Sequence, residues 1–344
     1  MRAVTIRSYG GIDAVAVDDV PRPVVEGPDD VVVALKAAAL NHLDLHVLGG
    51  LPGVRHTFPH VLGADGAGVV EAVGSGVTRV KPGDRVLLDP GLSCGSCDFC
   101  LDGEQSLCLT YGILGEHAPG TCAEAVRVTE RNVWPLADGV AWSDAAAYPL
   151  ATLTAWRMLT TRARVRAGET VLIWGIGGGV ALAALGIAKL LGARVLVTSS
   201  SDEKLARATA LGADAGINHA QQDVAKEVRR LSGKRGADVV VDSVGAKTWE
   251  TSTRALARGG RIVTCGGTSG SMITTDVRKL FWHHWTILGS TMGNHREFGE
   301  IVTLLGRGQL RPVVDRVYPL AQGPEAFRRL AGGEQFGKIV LEVN

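Results

Sequence analysis

The sequence has no surplus of charge of either sign: 36 Lys and Arg stand against 35 Asp and Glu, a formal charge of +1. A chain without a basic excess has nothing to hold a phosphate backbone, so a nucleic-acid binder is not expected. It also lacks a long apolar run. The richest stretch, Val171 to Val197, is interrupted by Lys189, Arg194 and several glycines, whereas a membrane span needs about 20 nearly unbroken apolar residues. The start, Met1-Arg2-Ala3-Val4-Thr5-Ile6, alternates like a strand and has no secretory leader pattern. The expectation is a soluble, cytoplasmic protein. No long repeat, linker or low-complexity segment is present. With 46% hydrophobic and 21% charged residues, the chain can bury enough apolar surface to offset its ordering entropy. At 344 residues it favours two domains.

From Met1 to about Tyr148 the pattern is short apolar runs divided by Gly, Pro and Asp, such as Val31-Val32-Val33 and Arg85-Val86-Leu87-Leu88, which predicts strands and turns. From Thr170 the texture changes. Val171-Leu172-Ile173 leads through a glycine-rich turn into a helical stretch ending near Leu191, and Arg194-Val195-Leu196-Val197 follows. Further strand patterns at Val239, Arg261 and Thr286, with helical patterns between them, predict an α/β parallel sheet covered on both faces. Val313 to Val317 and Lys338 to Leu341 are predicted strands near the end.

Four of six cysteines, Cys94, Cys97, Cys100 and Cys108, have the spacing C-x2-C-x2-C-x7-C. Four thiolates about 2.3 Å from one centre make a closed tetrahedral zinc site, which is structural because no position is left for water or substrate. An iron–sulfur cluster of the bacterial ferredoxin type needs a shorter last gap followed by proline, and Leu109 follows here. Disulfides belong to an oxidising compartment. One structural zinc per chain is therefore expected. Cys122 and Cys265 are isolated and are expected to be buried free thiols.

Gly175, Gly177, Gly178, Gly179 and Val180 lie where a strand feeds a helix. Glycine lets the backbone approach a pyrophosphate, and the helix N-terminus offers N–H donors to it. Ala181 replaces the last glycine of the G-x-G-x-x-G pattern. The next strand ends in Thr198-Ser199-Ser200 rather than in the Asp or Glu that binds an NAD ribose, and Lys204 follows one turn into the next helix. These favour NADP(H). A capping box running from Ser200 to Glu203 is the structural alternative for the same stretch.

In this order, Gly63-Ala64-Asp65-Gly66-Ala67-Gly68-Val69-Val70, Val80-Lys81-Pro82-Gly83-Asp84-Arg85-Val86, the cysteine loop and the Gly175 turn give a chain that resembles the medium-chain dehydrogenase/reductases along nearly its whole length. The resemblance implies a GroES-like β-barrel catalytic domain from residues 1–150 and 292–344, with a Rossmann dinucleotide-binding domain at 151–291 and the active site in the cleft between them. Family alcohol dehydrogenases hold a catalytic zinc on a Cys, a His and a second Cys. The matching positions here are Asn41, Ala64 and Leu150, of which Ala and Leu cannot ligate and Asn ligates poorly. No catalytic zinc is expected. Without that Lewis acid, an activated alkene or quinone is the easier substrate, because charge from hydride addition spreads into an enolate. The Asn41-His42-Leu43-Asp44 stretch is similar to that of zinc-free quinone and enoyl reductases.

The resemblance carries roles to single residues. Asn41 is an amide donor for a developing oxyanion or a loop fastener, and Asp65 a general acid or a partner for loop donors. Asp44 is expected to tie its loop. His42 matches a residue facing the pyrophosphate, Thr154 one packed on the nicotinamide, and Gly245, Gly266 and Gly267 shape the rest of the crevice. His46 matches a proton-relay histidine whose hydroxyl partner is Leu43 here. The substrate is a small molecule, and a homodimer or homotetramer is implied. Two rival functions stand beside the reductase: an alcohol dehydrogenase with a rebuilt metal site, and a non-catalytic NADPH-binding sensor.

Overall fold

A computed structural model describes residues 1–343. Contacts divide the chain into two units, Met1–Ala151 with Gly293–Asn344, and Thr152–Met292. Among the described residues, no helix is long and apolar enough to cross a membrane.

In the first unit, runs of Val, Ala and Leu build two sheets, and a third, short one pairs Gly91–Leu92 with Gly112–Ile113. Three strands, Val15–Asp19, Arg2–Ile6 and His60–Val61, pair in that order. The larger sheet is centred on the ten-residue strand Asp30–Ala39, which pairs antiparallel with Asp65–Val73, with Ala125–Thr129 and with the C-terminal strand Lys338–Glu342. Val31, Val33, Leu35, Val86, Leu88 and Phe327 pack between the layers and are buried. The register places the site. Ala39 faces Asp65 on one side and Val340 on the other, so continuing the antiparallel pattern two residues carries Asn41 level with Lys338.

In the second unit, six strands are all parallel. Numbered from its first strand, Thr170–Ile173, the spatial order is 3-2-1-4-5-6, the doubly wound arrangement of dinucleotide domains. The predicted strands at Val171, Arg194, Val239, Arg261 and Thr286 all form. A sixth, Ala215–Asn218, was not predicted: Ile217 is its one strong strand former, and pairing with Arg194–Ser199 decides its conformation. Cys265 is half-exposed, a correction to its expected burial, while Cys122 is buried.

Asp89, after the strand Arg85–Leu88, is buried and accepts from the Gly91 N–H at 3.0 Å. Burial pushes its carboxyl up to about 7. The folded chain thus keeps this proton to higher pH than the unfolded chain, so Asp89 favours folding most below about pH 4 and loses that contribution as pH rises through 7. Asp89→Asn is expected to flatten this part of the profile: the drop in thermal midpoint between acid and neutral pH, followed by circular dichroism, shrinks by roughly several degrees. An unchanged profile would show that burial does not raise the Asp89 carboxyl.

Candidate active site and cysteine centre

The first unit brings Asn41, Asp65 and the Leu150 backbone together around a residue the sequence did not single out, Lys338. Asp65 is wholly buried. Its Oδ1 accepts from the Leu150 N–H at 2.8 Å, and its Oδ2 accepts from Asn41 Nδ2 and from Lys338 Nζ, each at 2.9 Å. Lys338 Nζ also donates to Asn41 Oδ1. Asn41 directs Nδ2 at the Ala39 carbonyl as well, at 3.5 Å. Three donors converge on the Asp65 carboxylate, and both ends of the Asn41 amide are taken. These two residues, each expected either to be catalytic or to fasten a loop, are members of one buried hydrogen-bonded network with Lys338.

Asn41 caps the helix His42–Gly49. Asp44, buried one turn into it, accepts from the Asn41 N–H at 2.7 Å and the Gly63 N–H at 3.2 Å. It ties the two loops, as expected, and burial pushes its carboxyl up to about 7. Gly63 has φ of 96°, and a Cβ there would lie 2.4 Å from Cys122 Sγ, so glycine is required. His42 and His46 are exposed on the same helix, ring centroids 5.9 Å apart.

The three positions that the resemblance assigns to metal ligands carry an amide, a methyl group and an isobutyl group. The donor set does not fit a catalytic zinc.

The second unit fits a dinucleotide. Gly175 has φ of 69° and Gly177 of 128°, and a Cβ on Gly175 would meet nothing within 4 Å, leaving open space above the turn. Gly178 is the N-cap of the twelve-residue helix Gly179–Leu190, whose first N–H groups lack partners within the helix. Val180 is half-buried in its first turn. Thr198 is buried, and its Oγ1 accepts from the Gly175 N–H at 3.2 Å, so it holds the turn rather than presenting a hydroxyl. Ser199 is buried too and accepts from the Ser201 N–H at 3.1 Å. Ser200 is exposed and Lys204 half-buried. The cap of the next helix is Ser201, whose Oγ accepts from the Lys204 N–H at 3.3 Å. This corrects the box expected from Ser200 to Glu203, because the helix starts one residue later. Thr154 is buried, its Oγ1 directed at Met292 Sδ at 3.5 Å. Gly245 has φ of 86°, and a Cβ there would lie 2.6 Å from the Gly270 carbonyl and 2.9 Å from Gly267 Cα. Close backbone packing explains Gly245 and Gly267, and Gly266 lies exposed beside them.

The Sγ atoms of Cys94, Cys97, Cys100 and Cys108 lie within 4.8 Å of one another. Tetrahedral zinc with Zn–S near 2.3 Å sets sulfurs about 3.8 Å apart, so a small contraction closes the site. N–H groups of Ser96 and Cys97 point at Cys94 Sγ at 3.4 and 3.3 Å and hold its thiol well below the usual range, to about 5. Those donors favour the thiolate that a metal needs.

The alcohol dehydrogenase GroES-like domain model matches residues 27–138, and the zinc-binding dehydrogenase model residues 179–307. An alcohol dehydrogenase of Geobacillus stearothermophilus is 32% identical over 92% of this chain and 92% of its own. A quinone oxidoreductase of Pseudomonas aeruginosa is 32% identical over 99% of each chain. A crystal structure described as an NAD-dependent alcohol dehydrogenase is 48% identical, covers 100% of both chains and superposes with a TM-score of 0.95. The chain belongs to the medium-chain dehydrogenase/reductase superfamily. It is an oxidoreductase with a GroES-like domain and a Rossmann domain.

If the cysteine centre takes zinc, elemental analysis of protein purified without added metal gives one zinc per chain. Cys100→Ser is expected to remove most of it and to lower the thermal midpoint by roughly 10 °C, as losing a few kcal/mol would. Full zinc retention in that variant would remove Cys100 from the ligand set.

Proposed function

We propose that this chain is an NADPH-dependent reductase of quinones or α,β-unsaturated carbonyl compounds that works without a catalytic metal. The observation that carries the reading is the Lys338–Asp65–Asn41 network at the family's metal positions. When bound, the reduced nicotinamide supplies a hydride. The chain supplies a turn for the pyrophosphate at Gly175–Gly179, and a fixed charged network in place of a Lewis acid. Such a site asks least of its substrate when the developing charge is delocalised. For the cofactor, an exposed Ser200 and the nearby Lys204, with no carboxylate at the strand end, suit a 2′-phosphate. The reading includes one structural zinc on the four cysteines and a cytoplasmic location, where those thiols stay reduced.

The rival is alcohol oxidation with NAD, which the name of the 48% identical solved relative favours. Steady-state assays separate the two. Oxidation of NADPH is expected with a quinone, a cyclic enone or an enoyl thioester, with NADPH preferred to NADH by at least about tenfold in kcat/KM, a difference of about 1.4 kcal/mol. Ser200→Asp is expected to reverse that preference. Chelator-sensitive oxidation of simple alcohols, with no quinone or enone turnover, would overturn the reading. NADPH binding with no turnover on the whole panel would leave a sensor.

The proposal extends to a second copy of the chain. Thr286–Gly289 is the edge strand of the parallel sheet, and the residues around it expose Val277, Phe281, Trp282 and Ile287. An unpaired edge beside exposed apolar side chains invites pairing across a two-fold axis. Ile287→Lys with Trp282→Glu is expected to shift the mass measured by light scattering from a dimer or tetramer to a smaller species. A parent that is already monomeric would refute this.

A further inference from the structure

The second unit carries a further concave site, a groove of about 250 Å³. Lys226 and Arg229 of the helix Val224–Leu231, Arg254 of Trp249–Ala255 and Lys279 of Val277–Trp282 line it, with His283 and Trp285. These last residues stand before the strands Leu256–Thr264 and Thr286–Gly289, so the groove is at the amino ends of the parallel sheet. The Gly175 turn follows a strand at its carboxyl end, where dinucleotides bind. No carboxylate lines the groove. Asp223 caps its helix and takes Arg254 at 2.8 Å, Glu227 pairs with Arg230 at 2.7 Å, Asp276 caps its helix beside Arg278 at 3.4 Å, and Glu250 is exposed outside the walls. Among the described residues, no acceptor meets the Lys226 or Lys279 ammonium, and His283 Nδ1 is buried without a hydrogen-bond partner. Desolvation and the charges of Arg258, Arg229 and Lys279 hold the His283 imidazole below its usual range, so the potential there is positive. Arg229, Arg254 and Lys279 lie in last turns, where a helix dipole favours a cation, but Lys226 lies in a first turn, where it does not. Helix ends therefore do not account for the cluster.

We propose that this groove binds a small phosphate ester, a ligand separate from the dinucleotide, through Lys226, Arg229, Arg254, Lys279 and His283. A phosphate monoester carries nearly two charges and three acceptor oxygens pointing in different directions, which suits donors arriving from separate walls. A carboxylate offers one charge and one plane of acceptors. Arg229 gives one guanidinium nitrogen to the Arg254 carbonyl at 2.9 Å, and Arg254 one to Asp223. Each guanidinium has five N–H donors, so both keep charge-assisted bonds for the phosphate. The groove has room beyond that group. Trp285 spends its Nε1–H on the Ala257 carbonyl at 2.9 Å and lies with its ring centroid 5.0 Å from that of His283, which leaves indole ring surface as an apolar wall for the organic part of the ester.

Limited acetylation of the full chain, followed lysine by lysine by mass spectrometry, reads this groove apart from the dinucleotide turn. Phenyl phosphate is expected to slow acetylation of Lys226 and Lys279 saturably and to leave the exposed Lys36 and Lys81 of the first unit unchanged. Inorganic phosphate, with nothing to lay on Trp285, is expected to need a higher concentration, and succinate, a dianion of two carboxylates, a higher one again. Arg229→Gln with Arg254→Gln is expected to raise the phenyl phosphate concentration that half-protects Lys226 by at least about tenfold. Arg230→Gln with Arg278→Gln removes the same charge from outside the groove and is expected to leave that concentration unchanged. Should the first pair fail to fold, Arg229→Gln alone, at an exposed position, is expected to raise it by at least about threefold. No saturable protection in the parent, equal protection by sodium chloride of matched ionic strength, or an equal loss in the two double variants overturns the proposal. Succinate or inorganic phosphate as potent as phenyl phosphate overturns the assignment to a phosphate ester.

Discussion

The buried ion pair between Lys338 and Asp65 fixes more of this molecule than any other contact. Taking an ammonium and a carboxylate out of water costs several kcal/mol per ion, and the first unit offsets that cost only by arranging donors around the carboxylate. The Leu150 N–H, the Asn41 amide and the ammonium arrive from three distant parts of the chain. Each must be in place for the others to be tolerated. The central strand Asp30–Ala39 makes this possible, because two of its antiparallel neighbours begin at Asp65 and at Lys338. Sheet register and site geometry are therefore one constraint: a slip of one residue would turn Lys338 to the other face and leave Asp65 buried and unpaired.

The second unit uses the same device without a cation. Asp242, wholly buried after the strand Ala237–Val241, accepts from the N–H groups of Val244 and Gly245 at 2.9 and 3.1 Å. The Thr248 hydroxyl reaches both of its oxygens, and Ser252 Oγ donates to it at 2.6 Å. Ser252 in turn accepts from Trp174 Nε1 at 2.8 Å, the residue before the Gly175 turn. One saturated carboxylate thus joins two loops at the same end of the parallel sheet, where ligands of such sheets bind. Preorganised polar networks of this kind hold loop backbone in place with little reorganisation when a ligand arrives.

What the sequence made legible follows from the range of the interactions. The cysteine centre and the Gly175 turn were readable because their parts lie within 15 and five consecutive residues, so spacing alone determines which atoms can converge. The parallel sheet was readable from Val and Ile runs that need no partner to be recognised as strands. Ala215–Asn218 was not, because its partner supplies the strand character its residues lack. The site divided along the same line. Asn41 and Asp65 stood out through local motifs, but the partner that defines their roles is 273 residues beyond Asp65. Lys338 opens a Lys-Ile-Val-Leu strand and resembles a solvated lysine at a strand end. At Gly337, just before it, φ is 120° and a Cβ would lie 2.3 Å from the Val313 carbonyl oxygen, a constraint visible in the fold and not in the sequence.

Charge balance binds Lys338 and Asp65 to each other. With Lys338 paired to Asp65, the buried centre is neutral apart from Asp44, whose carboxyl burial already drives toward its protonated form. Removing Lys338 alone would leave Asp65 as an uncompensated buried charge, a loss of about 3–5 kcal/mol. That dependence ties the stability of the first unit to residue 338 as firmly as to Asp65 itself.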